Sequence, residues 1–137
     1  MTDPINLLRL APFLLDESAI AWVRETRDAM TTREMAGQLF VHFSRGNDPD
    51  ELARLAALKP AGITRFFSPD FEAEAAFMYA ARSQAEIPLL VSADLEGSRM
   101  SLPFGTEVPN PLALAAIDDV QASRTIARIM ADEARAF

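Results

Sequence analysis

The run Asp94-Leu95-Glu96-Gly97-Ser98-Arg99-Met100 places two carboxylates and one guanidinium on a turn that contains a glycine. Carboxylates accept hydrogen bonds from vicinal hydroxyls, and Gly97 lets backbone come close to a ligand, so the run suits recognition of a polyhydroxylated molecule. The same spacing also fits a solvated acidic turn, since charged residues mostly lie at the surface. Asp94 and Glu96 could instead hold Mg²⁺ for phosphoryl transfer, but no phosphate-cradling loop accompanies them. His42 is the single histidine and sits near the end of a strand-like segment. It could face a pocket, yet alone it makes no triad, and a lone strand histidine is more often structural. The chain has no cysteine, which removes disulfides, thiolate zinc sites and a cysteine nucleophile from consideration. Phe71, Phe77 and Met78 fit core packing better than a cofactor box.

Asp94 follows Ile87-Pro88-Leu89-Leu90-Val91-Ser92-Ala93, the third apolar run of a repeating pattern. In each repeat a short apolar segment meets a polar helix start and then an amphipathic helix. Phe40 to Phe43 precedes Asp48-Pro49-Asp50-Glu51, where Asp48 can cap, Pro49 suits the first helical position and the acids favour the positive helix end. Leu52, Leu55 and Ala56 are the expected buried stripe of that helix, and Pro60 stops it. Gly62 to Phe66 is the second strand, and Ser68-Pro69-Asp70 opens a helix running to about Ser83. The continuous apolar character of the third run predicts burial on both faces, as in parallel sheets covered by helices. Upstream, Asp16 to Met30 reads as a helix with Ile20, Val23 and Met30 near one face, and Thr31-Thr32-Arg33-Glu34 is a capping box for a short helix behind it. Downstream, Asp94 to Pro111 is rich in Gly and Pro and reads as a long loop. A last helix should start near Asp118-Asp119 and carry Ile126, Ile129, Met130, Ala134 and Phe137 on one stripe.

Alternating strands and helices imply parallel pairing through right-handed crossovers. Three such units with both sheet edges open would leave the third strand poorly covered, whereas a closed barrel of eight strands has no edges. The expected fold is therefore α/β, a partial (β/α)8 barrel comprising the N-terminal βα units. Residues 1–15 form a lead-in and residues 16–137 the incomplete barrel portion, with either the remainder of the barrel or self-association covering the open edges. In such architectures ligands bind at the carboxyl ends of the strands, which is where Asp94 stands.

The 137 residues carry a net charge of −7, the difference between 13 basic and 20 acidic residues, and Lys59 is the single lysine. Nucleic-acid binders cluster Lys and Arg against phosphate, and no such face exists here. No apolar run approaches the roughly 20 residues of a membrane span. Leu7 to Leu15 is interrupted by Arg9 and Pro12 and makes a poor signal peptide, so the expected location is cytoplasmic.

Four stretches, in order, resemble the N-terminal barrel domain of glycoside hydrolase family 3. Leu89 to Arg99 is similar to its strand and Asp-x-Glu-Gly-Gly loop. Met30 to Leu39 resembles its Met-Thr-x-x-Glu-Lys-x-Gly-Gln-Leu entry, with Met35 in place of the usual Lys. Gly105 to Ala116 resembles its Gly-Thr-x-Phe-Pro segment and Ala-rich turn, with Val108 in place of Phe, and Glu133-Ala134-Arg135-Ala136 resembles the end of the helix that leads to its Gly-Ile-Asn strand. The resemblance covers about Asp16 to the terminus.

The resemblance implies an exo-acting retaining enzyme that hydrolyses a terminal β-linked sugar, β-N-acetylhexosaminide or β-glucoside, without metal or organic cofactor. It implies that Asp94 binds sugar hydroxyls, with Glu96 and Arg99 at matching motif positions where they either touch ligand or brace the loop against each other. Ser98 departs from the second glycine, which a Cβ would be expected to restrict. The family's nucleophilic Asp and its Lys-His loop match no residue here, so no catalytic residue is assigned and the 137 residues alone should be inactive. The alternative reading is a non-catalytic small α/β module that uses the same loop to grip a ligand or partner.

Overall fold

A computed structural model describes residues 4–136. A 3-10 segment, Pro4–Arg9, leads into α1 (Glu17–Ala29), α2 (Thr32–Gly37), β1 (Val41–Arg45), α3 (Pro49–Leu58), β2 (Gly62–Phe66), α4 (Phe71–Gln84), β3 (Leu90–Ser92), α5 (Pro111–Ile117) and α6 (Val120–Ala136). The three strands form one parallel sheet in the order β1-β2-β3, joined by the two crossovers that contain α3 and α4.

Local chemistry explains where the helices begin. Asp16, Asp48, Asp70 and Asn110 each accept a backbone amide as the N-cap of α1, α3, α4 and α5, with proline following at the start of α3 and α5. Thr31 and Glu34 form the reciprocal capping box of α2. α3 ends where Lys59 turns left-handed just before Pro60.

The sheet has one covered and one open face. Alternation sends Ile63 and Arg65 toward the helices, where Leu55, Ile63, Phe77, Met78 and Ala81 make the core and Leu52 and Leu89 pack against it. Leu55, Ile63, Phe77 and Met78 each contribute about 1.5–3 kcal/mol through this burial. On the other face Val41, Phe43, Phe66 and Leu90 are 55%, 51%, 36% and 69% exposed.

Several expectations are corrected. β3 is three residues long and none of them is buried, because no helix after it packs on it and β2 is its sole strand neighbour among the described residues. β1 begins at Val41 and not before it, because residue 40 still belongs to the turn that closes α2, its amide bonded to Gly37 O at 3.0 Å. In α3 the buried pair is Glu51 and Leu55 while Ala56 is exposed, the helix being rolled so that Glu51 faces His42. Phe71 is 53% exposed and stacks edge-on against Phe104 at 5.1 Å, in contrast to Phe77 and Met78 in the core. α5 was not expected. The stripe of α6 is half-buried at Ile126, Ile129 and Met130 and exposed at Ala134, and its last expected member, Phe137, lies outside the described residues.

Candidate functional site

β2 pairs Thr64 with Ser92, and the two hydroxyls meet at 2.9 Å on the open face. Asp94 lies two residues beyond Ser92, at the carboxyl end of the sheet, and is exposed. The loop it enters is shaped by backbone. Met100 N donates to Gly97 O at 3.0 Å, and the amides of Glu96 and Gly97 both donate to Met100 O, at 2.7 and 2.9 Å. Ser98 N donates to Val108 O at 2.8 Å, tying the loop to the segment that precedes α5. Gly97 is buried with φ +93°, and a Cβ there would collide with Pro109 O, so this position needs both the conformation and the bareness of glycine.

Ser98 adopts φ +50°, the left-handed conformation that the more usual glycine would take at no cost. The serine accepts strain of about 1–2 kcal/mol there instead of reshaping the turn. Asp94, Glu96 and Arg99 all present exposed side chains, and none of the three makes a side-chain hydrogen bond or ion pair among the described residues. Glu96 and Arg99 therefore do not brace the loop through each other. The backbone turn does, which leaves three charged groups presented to solvent on a fixed loop.

Behind this end of the sheet is a buried network that sequence reasoning did not find. Arg65 and Glu74 are 1% and 0% exposed. Arg65 gives Nε and Nη2 to the Glu74 carboxylate at 2.6–2.9 Å, Nη1 to Ser44 Oγ and Gly46 O at 3.0 Å, and Nη2 to Asn47 Oδ1 at 3.0 Å. All five guanidinium donors are used. Glu74 also accepts from Ser68 N at 2.9 Å, and the Phe77 ring lies 4.2 Å from the Arg65 guanidinium carbon. The Arg65–Glu74 pair thus pins the turns after β1 and β2, both at the end where Asp94 emerges. The available signal was an arginine inside the otherwise apolar run Gly62-Ile63-Thr64-Arg65-Phe66.

His42 turns away from the open face, its Nε2 lying 3.6 Å from Glu51 Oε1 of α3. It belongs to the helix-facing side of β1 and the structural reading applies.

The remaining motifs act at other places. Gln38 Nε2 donates to Lys59 O at 2.8 Å, a Cβ on Gly37 would strike Leu58 O and Lys59 O, and Lys59 Nζ bridges Glu34 and Glu86 at 2.8 and 2.9 Å. The Lys59 ammonium, helped by the Thr31 amide and hydroxyl, holds the Glu34 carboxyl far below its usual 4.5, at about 2. A cavity of about 300 Å³ opens beside this bridge, lined by residues including Met30, Leu55, Lys59, Ile87 and Leu89. Lys59 and Ile87 precede β2 and β3, so the cavity lies at the amino end of the strands, opposite Asp94.

No family model matches the chain. A curated relative, "Beta-N-acetylglucosaminidase/beta-glucosidase" of Cellulomonas fimi, is 36% identical over 131 residues, which is 95% of this chain and 23% of that protein. This match supports the resemblance of the chain to the N-terminal region of glycoside hydrolase family 3. The solved structure titled "Beta-glucoside phosphorylase BglX bound to 2FGlc" superposes with a TM-score of 0.76 over 91% of this chain at 24% identity, and supports the fold. The chain spans 23% of the length of each of these two proteins.

Proposed function

We propose that this chain supplies the first βα units of a (β/α)8 barrel, residues 16–137, in an exo-acting retaining β-glycosidase of glycoside hydrolase family 3. Its substrate is a terminal β-linked N-acetylhexosaminide or glucoside, in keeping with the β-N-acetylglucosaminidase and β-glucosidase named for the Cellulomonas fimi relative. The carrying observation is Asp94. Its carboxylate is exposed and unengaged at the carboxyl end of β3, on a loop whose backbone is fixed against Val108 and Pro109.

In this reading Asp94 accepts hydrogen bonds from two hydroxyls of the sugar whose glycosidic bond is cleaved. Glu96 and Arg99 line the same loop, one as acceptor and one as donor. Retaining hydrolysis proceeds in two displacements. A carboxylate attacks the anomeric carbon while an acid protonates the departing oxygen, and water, deprotonated by that same group, then releases the sugar. No residue of this chain takes the nucleophile or acid/base role, so these come from the remainder of the barrel, whose strands also cover Val41, Phe43 and Leu90.

The test is release of aglycone from aryl β-N-acetylglucosaminide and aryl β-glucoside by the full-length protein. Loss of hydroxyl contacts that strengthen in the transition state costs several kcal/mol, so Asp94→Ala should lower kcat/KM by on the order of 100-fold or more. Unchanged kcat/KM in that variant would remove Asp94 from the site.

A further inference from the structure

Arg45 closes β1, pairs in register with Phe66, and shares the open face with Val41 and Phe43, since His42 and Ser44 alternate toward the helices. Its guanidinium carbon lies 5.6 Å from the centroid of Phe43 and 5.5 Å from that of Phe66, and the two rings are 4.9 Å apart. Such stacking holds a cation in place and leaves its charge unneutralised. Among the described residues Arg45 makes no ion pair, in a chain of net charge −7 that pairs Arg9, Arg27, Arg54, Lys59, Arg65 and Arg135 with carboxylates.

Register relates this cation to the sugar loop. Arg45 is level with Phe66, Phe66 is two residues past Thr64, and Asp94 is two past Ser92, the partner of Thr64. Arg45 and Phe66 thus end β1 and β2 at one level, and Asp94 stands two residues past the end of β3 beside them. With strands about 4.8 Å apart, β1 and β3 are about 10 Å apart across the sheet, with Phe66 on the strand between them. An acceptor at one side, an apolar floor and an unpaired forked donor at the other would hold a sugar ring together with an adjoining anionic group.

We propose that Arg45 is a specificity-determining residue that receives an oxyanion beside the sugar held by Asp94, either a carboxylate carried by the saccharide or a free phosphate. The proposal rests on the reading of Asp94 given above. It is tested by titrating the full-length protein with a neutral β-linked disaccharide, with the same disaccharide bearing one carboxylate, and with inorganic phosphate, each also on Arg45→Gln. A charge-assisted hydrogen bond is worth about 1.5–3 kcal/mol, so the wild type should favour an oxyanion-bearing ligand by about 10-fold or more. Arg45→Gln should erase that gain and leave neutral disaccharide affinity unchanged. Loss of the acidic preference identifies a carboxylate as the group received; loss of phosphate binding without any acidic preference identifies free phosphate. Arg45→Gln matching wild type in all three titrations, with the neutral sugar still bound, overturns the role of Arg45 alone. Failure of the wild type to bind either disaccharide overturns the Asp94 reading, and the proposal with it.

Discussion

Glu133 of α6 accepts hydrogen bonds from both the amide and the hydroxyl of Thr106, so two motifs separated by 27 residues meet through one carboxylate. A Cβ on Gly105 would press on the Glu133 carboxylate, which would have to shift away. The loop that clamps the Asp94 turn through Val108 is thereby anchored to α6.

Glu133→Ala leaves the Thr106 amide without its partner. A hydrogen bond to a charged group contributes about 1.5–3 kcal/mol, and this one is partly solvated, so the expected destabilisation is about 1–2 kcal/mol. Denaturant titration of the full-length protein checks it, and Glu133→Gln should recover part of the loss.

Arg65→Met should destabilise the protein by about 3–5 kcal/mol, because Glu74 is left as a buried, unpaired carboxylate. The double variant Arg65→Met with Glu74→Leu should lose far less, since replacing a buried pair by apolar groups is often neutral. Thermal melts of the three proteins separate the cost of breaking the pair from the worth of having it.

Neighbouring positions in the Asp94 loop should respond oppositely. Gly97→Ala combines a positive φ with a collision at Pro109 O and should displace the loop, lowering sugar affinity by at least about 10-fold, or about 1.4 kcal/mol. Ser98→Gly relieves left-handed strain while adding freedom to the unfolded chain, so its stability should stay within about 1 kcal/mol of wild type, with sugar affinity retained.

The Glu34 carboxyl is held below its ordinary range by Lys59 and the Thr31 cap. A depressed carboxylate contributes stability that is present above its unfolded value of 4.5 and is lost as pH falls through about 2. The acid limb of the stability profile between these values should therefore be shallower in Glu34→Gln than in wild type, as read from melting temperatures across that range.

What was legible in the sequence was mostly local. Asp48-Pro49, Asp70 and the Thr31–Glu34 box announce their helix starts because caps need only neighbours within three residues, and β2 was bounded correctly by Pro60 ahead of it and Ser68-Pro69 behind. Asn110-Pro111 uses the same device as Asp48-Pro49, yet three prolines within nine residues read as a loop through Pro111 and hide the start of α5. Burial could not be read for β3, since its apolar run reports what its faces can pack against and not what this chain supplies. The Arg65–Glu74 pair and the Glu133–Thr106 contact depend on which elements the crossovers bring together, and side-chain pattern alone carries no such information. Asp94 could be singled out because its residue type, its glycine neighbour and its place after a strand all point the same way.

The most direct test of the Asp94 assignment is a crystal structure of the full-length protein with a slowly hydrolysed β-linked sugar bound. The Asp94 carboxylate should lie within hydrogen-bond distance of two sugar hydroxyls at the carboxyl end of β3. A sugar seated instead in the cavity beside Lys59, with Asp94 facing solvent, would contradict it.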